Sequence, residues 1–113
     1  MLNVCDVATT MSNIIFSVAD TYCDKGEDAM SDIDFEVGVL LSDYLTRRRV
    51  SPYLARLGVD EITRRHSGRP QPDNGHIVLQ DGRVNCGRLH ALVSEWCLDN
   101  EIRCGWYSTI ARR

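Results

Sequence analysis

The sequence predicts an α+β fold: four or five helices packed on a small antiparallel sheet of two or three strands. Three observations carry that expectation. Apolar residues recur at helical spacing along the chain as far as residue 66, and again from residue 86. After the loop "SGRPQPDNG", residues 67–75, the rhythm shortens to alternation in "HIVLQDGRV" and later in "IRCGWYSTI". These strand-like runs are too few for a doubly wound sheet, so a helical layer against a small antiparallel sheet is the economical solution. With 113 residues, no repeats and no low-complexity tract, the chain 1–113 reads as a single compact domain.

The elements follow in order. Asp6 is placed to cap a first helix whose apolar stripe is Val7, Met11, Ile14, Ile15, Val18, Ala19 and Tyr22. "DKGED" ends it. Ser31, with Asp34 three residues on, resembles a capping box for a second helix reaching about Thr46. Its inward stripe is Ile33, Val37, Leu40, Leu41, Tyr44 and Leu45. Ser51-Pro52 is a cap followed by a first-turn proline, which starts a short third helix, and Asp60 caps another through His66. Asp81-Gly82 is a favoured pair for a tight hairpin turn. Asn85 caps a last helix with Leu89, Leu92, Val93, Trp96 and Cys97 on one side and Asn100 near its end. A closing strand then places Ile102, Cys104, Trp106 and Ile110 on one face.

Composition narrows the function. An apolar content of 43% with 26% charged residues is that of an ordinary soluble protein. No apolar run approaches the roughly 20 residues of a membrane span, and "MLNVCDVATT" lacks the pattern of a signal peptide. Five cysteines at irregular spacings fit reduced thiols better than a disulfide framework, so a cytoplasmic location is expected.

The net charge of −3 conceals a split. Residues 1–46 carry nine acids against Lys25, a balance of −8, while residues 47–113 carry twelve arginines against seven acids, a balance of +5. Either the two halves neutralise each other within the fold, or they form segregated surfaces that face partners.

"YLARLGVDEITRRHSGRP", residues 53–70, concentrates basic side chains and invites a helix-turn-helix reading with Gly58 in the turn. Details count against it. Leu54 is bulky where a small residue is wanted, and Arg64 stands where an apolar one would seat the second helix. Asp60 and Glu61, the first-turn residues, have the wrong sign for approaching phosphates. A basic patch of Arg47, Arg48, Arg49, Arg56, Arg64, Arg65 and Arg69 remains, in which "RRR" already complements the negative end of the second helix.

Catalytic and metal chemistry find little support. Cys86, His90 and Cys97 share one helical stripe, but Cys86 and Cys97 lie roughly 16 Å apart along it at 1.5 Å per residue, too far for one ion. They read as small core residues, with His90 satisfied or half-buried. There is no Cys-x-x-Cys, glycine-rich phosphate loop, His-Glu-x-x-His or Gly-x-Ser-x-Gly motif. The sequence therefore predicts no catalytic residues, no metal and no cofactor. A nucleophilic Cys/His pair brought together by folding is the one enzymatic alternative.

The second helix is the informative element. Asp32, Glu36 and Asp43 form an outward acidic stripe, and Phe35 and Val39 project beside it, off the inward row. An apolar pair rimmed by like charges is suited to docking a basic partner, with the aromatic as anchor. The expected function is a small non-enzymatic binding protein that blocks a partner, a protein or nucleoprotein complex, through its segregated acidic and basic surfaces. Size, charge split and lack of catalytic motifs place it beside phage- or mobile-element-encoded inhibitors, including anti-CRISPR proteins, and toxin-neutralising immunity proteins. The alternative is a DNA-binding transcriptional regulator using residues 53–69. No membrane or small-molecule partner is expected.

Overall fold

A computed structural model describes residues 2–22, 29–66, 75–79 and 82–103. They form four helices: α1 (Val4–Thr21), α2 (Met30–Arg47), α3 (Pro52–His66) and α4 (Cys86–Arg103). Helix α3 is central, packing on α1 along one side and α4 along another, while α2 lies against α1. The expected sheet is overturned: among the described residues there is one isolated antiparallel bridge, Val78 opposite Val84, and no strand.

The reason lies in how soon the turn becomes a helix. "HIVLQDGRV" does fold back on itself, with the Leu79 N–H donating to Arg83 O at 2.8 Å and the Asn85 N–H to Ile77 O at 2.6 Å. Yet Asn85, which closes this ladder, also caps α4 by accepting from the Arg88 N–H at 3.2 Å. One residue therefore ends the turn and begins the helix, leaving no length for pairing. Ile77 and Val78, adjacent in sequence, are both buried, so the alternation of a half-exposed strand does not hold. The expected closing strand lies mostly outside the described residues. Ile102 lies within α4, while Cys104, Trp106 and Ile110 fall outside the described residues.

The helix ends correct other expectations. Asn3, not Asp6, caps α1: its Oδ1 accepts from the Asp6 N–H at 2.9 Å, which puts Asp6 in the first turn. No side chain caps α2, so Ser31 and Asp34 form no capping box. Ser51 does cap α3, taking the Leu54 N–H at 3.1 Å, and Pro52 opens the helix. That helix then runs unbroken through Gly58 and Asp60 to His66, so the expected pair of short helices is one. Gly58 is a contact rather than a turn. A Cβ there would lie 2.7 Å from Met11 Cε and 2.8 Å from Val7 Cγ1, so the missing side chain lets α1 and α3 approach closely.

The core gathers one stripe from each helix: Val7, Met11 and Ile15 from α1, Val37, Leu41 and Leu45 from α2, Val59 and Ile62 from α3, and Leu89, Val93 and Cys97 from α4. Val50 joins it just past α2, where the helix closes with the Val50 N–H on Leu45 O (2.9 Å) and the Arg49 N–H on Thr46 O (3.1 Å). This is a Schellman motif, and its left-handed position is held by Arg49 at φ 52° instead of the usual glycine. Such a conformation costs a non-glycine residue about 1–2 kcal/mol.

Candidate interaction surfaces

On α2 the buried stripe is Ile33, Val37, Leu41 and Leu45. Leu40, expected inward, is instead exposed at 38%. It joins Phe35 at 76% and Val39 at 52%, so three large apolar side chains of this helix face solvent. Helical spacing sets Phe35 and Val39 one turn apart, with Asp32 one turn before and Asp43 one turn after. Asp32 and Asp43 are exposed.

Glu36 behaves differently from the other two acids of the stripe. It is half-buried and accepts a hydrogen bond from the Tyr22 hydroxyl at 2.9 Å, tying α2 to the end of α1. That bond to the Glu36 carboxylate, seconded by its negative charge and then by desolvation and Asp32, raises the Tyr22 pKa above its ordinary value. Asp34, outside the stripe, is more heavily engaged. Its Oδ1 accepts the Ile77 N–H and its Oδ2 lies beside His76 Nδ1, both at 2.7 Å, so one carboxylate clasps the turn before α4 onto α2. The sequence signal for this role was an acid bordering the inward row; its partners, more than forty positions away, carried none.

The arginines divide into two kinds. Arg56 pairs with the buried carboxylate of Glu101 at 2.8 Å, and Arg64 and Arg65 both pair with Glu61. Arg65 also donates to Thr9 Oγ1 at 3.3 Å. Arg47 pairs with Asp43 at 3.1 Å, whereas Arg48 and Arg49 have no carboxylate partner among the described residues. Arg69 lies outside those residues. The basic patch is thus split: at α3 its charges are offset by acids of their own half, and at the end of α2 two remain open. Of Arg47, Arg48, Arg49, Arg56, Arg64 and Arg65, only Arg47 pairs with a described acid of residues 1–46.

Beside that end of α2 lies an open cleft of about 960 Å³, floored by Tyr44 and walled by the first turns of α1. A second hollow of about 550 Å³, mostly apolar, is bordered by Pro52, Tyr53, Trp96, Asn100 and Glu101.

Two constellations could have signalled catalysis. His90 Nε2 lies 3.2 Å from Thr63 Oγ1 and 3.8 Å from Asp60 Oδ1, resembling a hydroxyl–imidazole–carboxylate relay. The geometry argues otherwise. The Thr63 hydroxyl donates to Val59 O at 2.9 Å, and both contacts of the His90 ring fall on the single nitrogen Nε2, whereas a relay needs the carboxylate at the other nitrogen. Thr63 is also buried, away from any substrate. Cys86 and Cys97 are both buried free thiols at separate places in the core. Cys97 donates to Pro52 O at 3.4 Å, and burial, with Glu101 adding to it and Arg56 opposing, raises its pKa. Among the described residues no three His, Cys, Asp or Glu side chains come together as a metal site. Nor is any described helix long and apolar enough to cross a membrane.

Comparison of the chain with protein-family models, with curated proteins and with solved structures finds no match.

Proposed function

We propose that this protein is a non-enzymatic binding module, an inhibitor in kind, that docks through the outer face of α2 onto a protein surface presenting an apolar socket edged with basic side chains. The observation that carries the reading is the exposure of Phe35, Val39 and Leu40 on a helix whose core stripe is already complete, beside the exposed carboxylates of Asp32 and of Asp43, the latter shared with Arg47. Scattered exposed apolar residues are ordinary, but exposed apolar residues grouped on one helix with a phenylalanine among them have the composition of an interface anchor. The acids at its edge select the partner's charge and speed encounter.

The DNA-binding alternative loses its geometric basis, because residues 53–66 form one uninterrupted helix with no turn at Gly58. Its arginines at 64 and 65 are also held by Glu61.

The test begins with capture of a partner from the source cell and is decided on the reconstituted pair. Phe35→Ala should weaken binding at least tenfold with little change in melting temperature, since burying a phenylalanine at an interface is worth roughly 1.5–3 kcal/mol. Asp32→Lys with Asp43→Lys should chiefly slow association and reverse its salt dependence. Retained affinity in the Phe35 variant would refute the reading. So would a loss of several kcal/mol in its stability, which would mean that Phe35 belongs to the core.

A further inference from the structure

The cleft between the start of α1 and the end of α2 has features that the α2 docking face does not explain. Arg47, Arg48 and Arg49 all line it. Arg47 is held by Asp43, but the guanidinium groups of Arg48 and Arg49 have no acid among the described residues. Arg49 occupies a left-handed backbone position that the helix end would fill more comfortably with glycine. A strained residue whose side chain forms no ion pair among the described residues points to a use for that side chain. On the cleft floor, the Tyr44 hydroxyl is screened from solvent and has no hydrogen-bond partner among the described residues, an uncommon state for a buried polar atom. Thr9 adds a further hydroxyl on the opposite wall.

Two open guanidinium forks, a third nearby and the Thr9 hydroxyl line one cleft, a set of donors that suits the oxygens of a phosphate. We propose that this cleft binds the phosphate group of a small phosphorylated molecule, with Arg48 and Arg49 as its charged contacts. A nucleic-acid strand fits less well. It needs a continuous basic track, and Arg56, Arg64 and Arg65 of α3 are already paired with Glu101 and Glu61. Asp6, on the cleft wall, would also repel a long polyanion while tolerating a compact one seated against the arginines. The volume of about 960 Å³ leaves room for the organic part of such a ligand.

Arg49→Gly gives the decisive experiment because strain and binding should move in opposite directions. Without ligand the variant should melt a few degrees higher than wild type, since glycine accepts the left-handed conformation. Its affinity for inorganic pyrophosphate and for adenosine monophosphate, titrated separately by calorimetry, should fall at least tenfold. Arg48→Gln should lower both affinities without the gain in melting temperature. Absence of binding by wild type at millimolar pyrophosphate and nucleotide, or unchanged affinity in Arg49→Gly, would overturn the proposal. Duplex DNA binding that collapses with salt, without binding of either small ligand, would overturn it in favour of a polyanion surface.

Discussion

Gly58 and Gly38 each sit in the middle of a helix, one in α3 and one in α2, and their surroundings could hardly differ more. At Gly58 the space of a side chain is already taken by Met11 and Val7, so side chains of α1 rest directly on the backbone of α3. At Gly38 nothing lies within 4 Å of where a Cβ would be. Facing it, Gly38, Leu41, Ser42 and Leu45 of α2 and Leu92, Val93 and Trp96 of α4 border a small unfilled gap. Helix α3 is therefore fixed by close packing on two sides. Helix α2 is held by one apolar stripe and by polar ties at its start: Asp34 to the turn before α4, and Glu36 to Tyr22. A helix fastened in this way can present its outer face to a partner, whereas one wedged between two neighbours has little face to spare. Function is better sought on α2.

The largest test of this contrast is Asp34→Ala. The substitution removes two short hydrogen bonds from one carboxylate and strands the backbone N–H of Ile77, a fully buried residue. Bonds to charged groups contribute about 1.5–3 kcal/mol each and are not additive, so a loss of about 3 kcal/mol is expected in chemical denaturation. Amide hydrogen exchange should show faster opening of α2 and residues 75–79, with α3 far less affected. Uniform loss of protection along both helices would show that α2 is as deeply integrated as α3.

Gly58→Ala comes next and probes the other side. Alanine in a helix interior normally gains about 1 kcal/mol over glycine. Here its Cβ would collide with the stiff Val7 as well as with the end of Met11, and overpacking of this kind costs about 1–3 kcal/mol. The expected outcome is a net loss of about 1 kcal/mol, read from the denaturation midpoint. A stabilised variant would show that α1 and α3 can separate cheaply, which would erase the distinction from α2.

The parts of this molecule that could be read from its sequence are those written locally. The stripe of Val7, Met11, Ile15 and Val18, the Ser51-Pro52 start of α3 and the Asn85 cap of α4 each depend on residues within a few positions, and the structure contains all of them. So does the outward placement of Phe35 and Val39, which follows once the core row of α2 is known. What escaped depends on contacts between distant segments or on residues with two meanings. Gly58 reads equally as a turn or as a close approach, and only the arrival of α1 decides between them. Asp81-Gly82 and the alternation around it suggest a sheet, but Asn85 commits the chain to α4 before a strand can form. Leu40 lies within the angular width of the inward row, and its exposure depends on how α2 is rolled against α1. The left-handed Arg49 left only a faint sign, a helix end with no glycine after it.

The smallest effect, and the one of opposite sign, belongs to Gly38→Ala. With no atom near the new Cβ, the substitution should show the intrinsic helix preference nearly undiluted, about 0.5–1 kcal/mol of stabilisation. The methyl group would project beside the gap bordered by Leu92 and Trp96 without reaching either side chain. Melting temperature should therefore rise by a few degrees, in contrast to the fall at Gly58. The same variant sharpens the functional reading, because Gly38 directly precedes Val39 and lies one turn beyond Phe35. If a partner rests on the row of Phe35 and Val39 alone, affinity should be unchanged as stability rises. If affinity falls while stability rises, the partner reaches into the gap beside Gly38, and the docking face extends toward α4. A fall in stability would show instead that α2 and α4 close together more tightly than this arrangement allows, and α2 would lose its standing as the loosely covered helix.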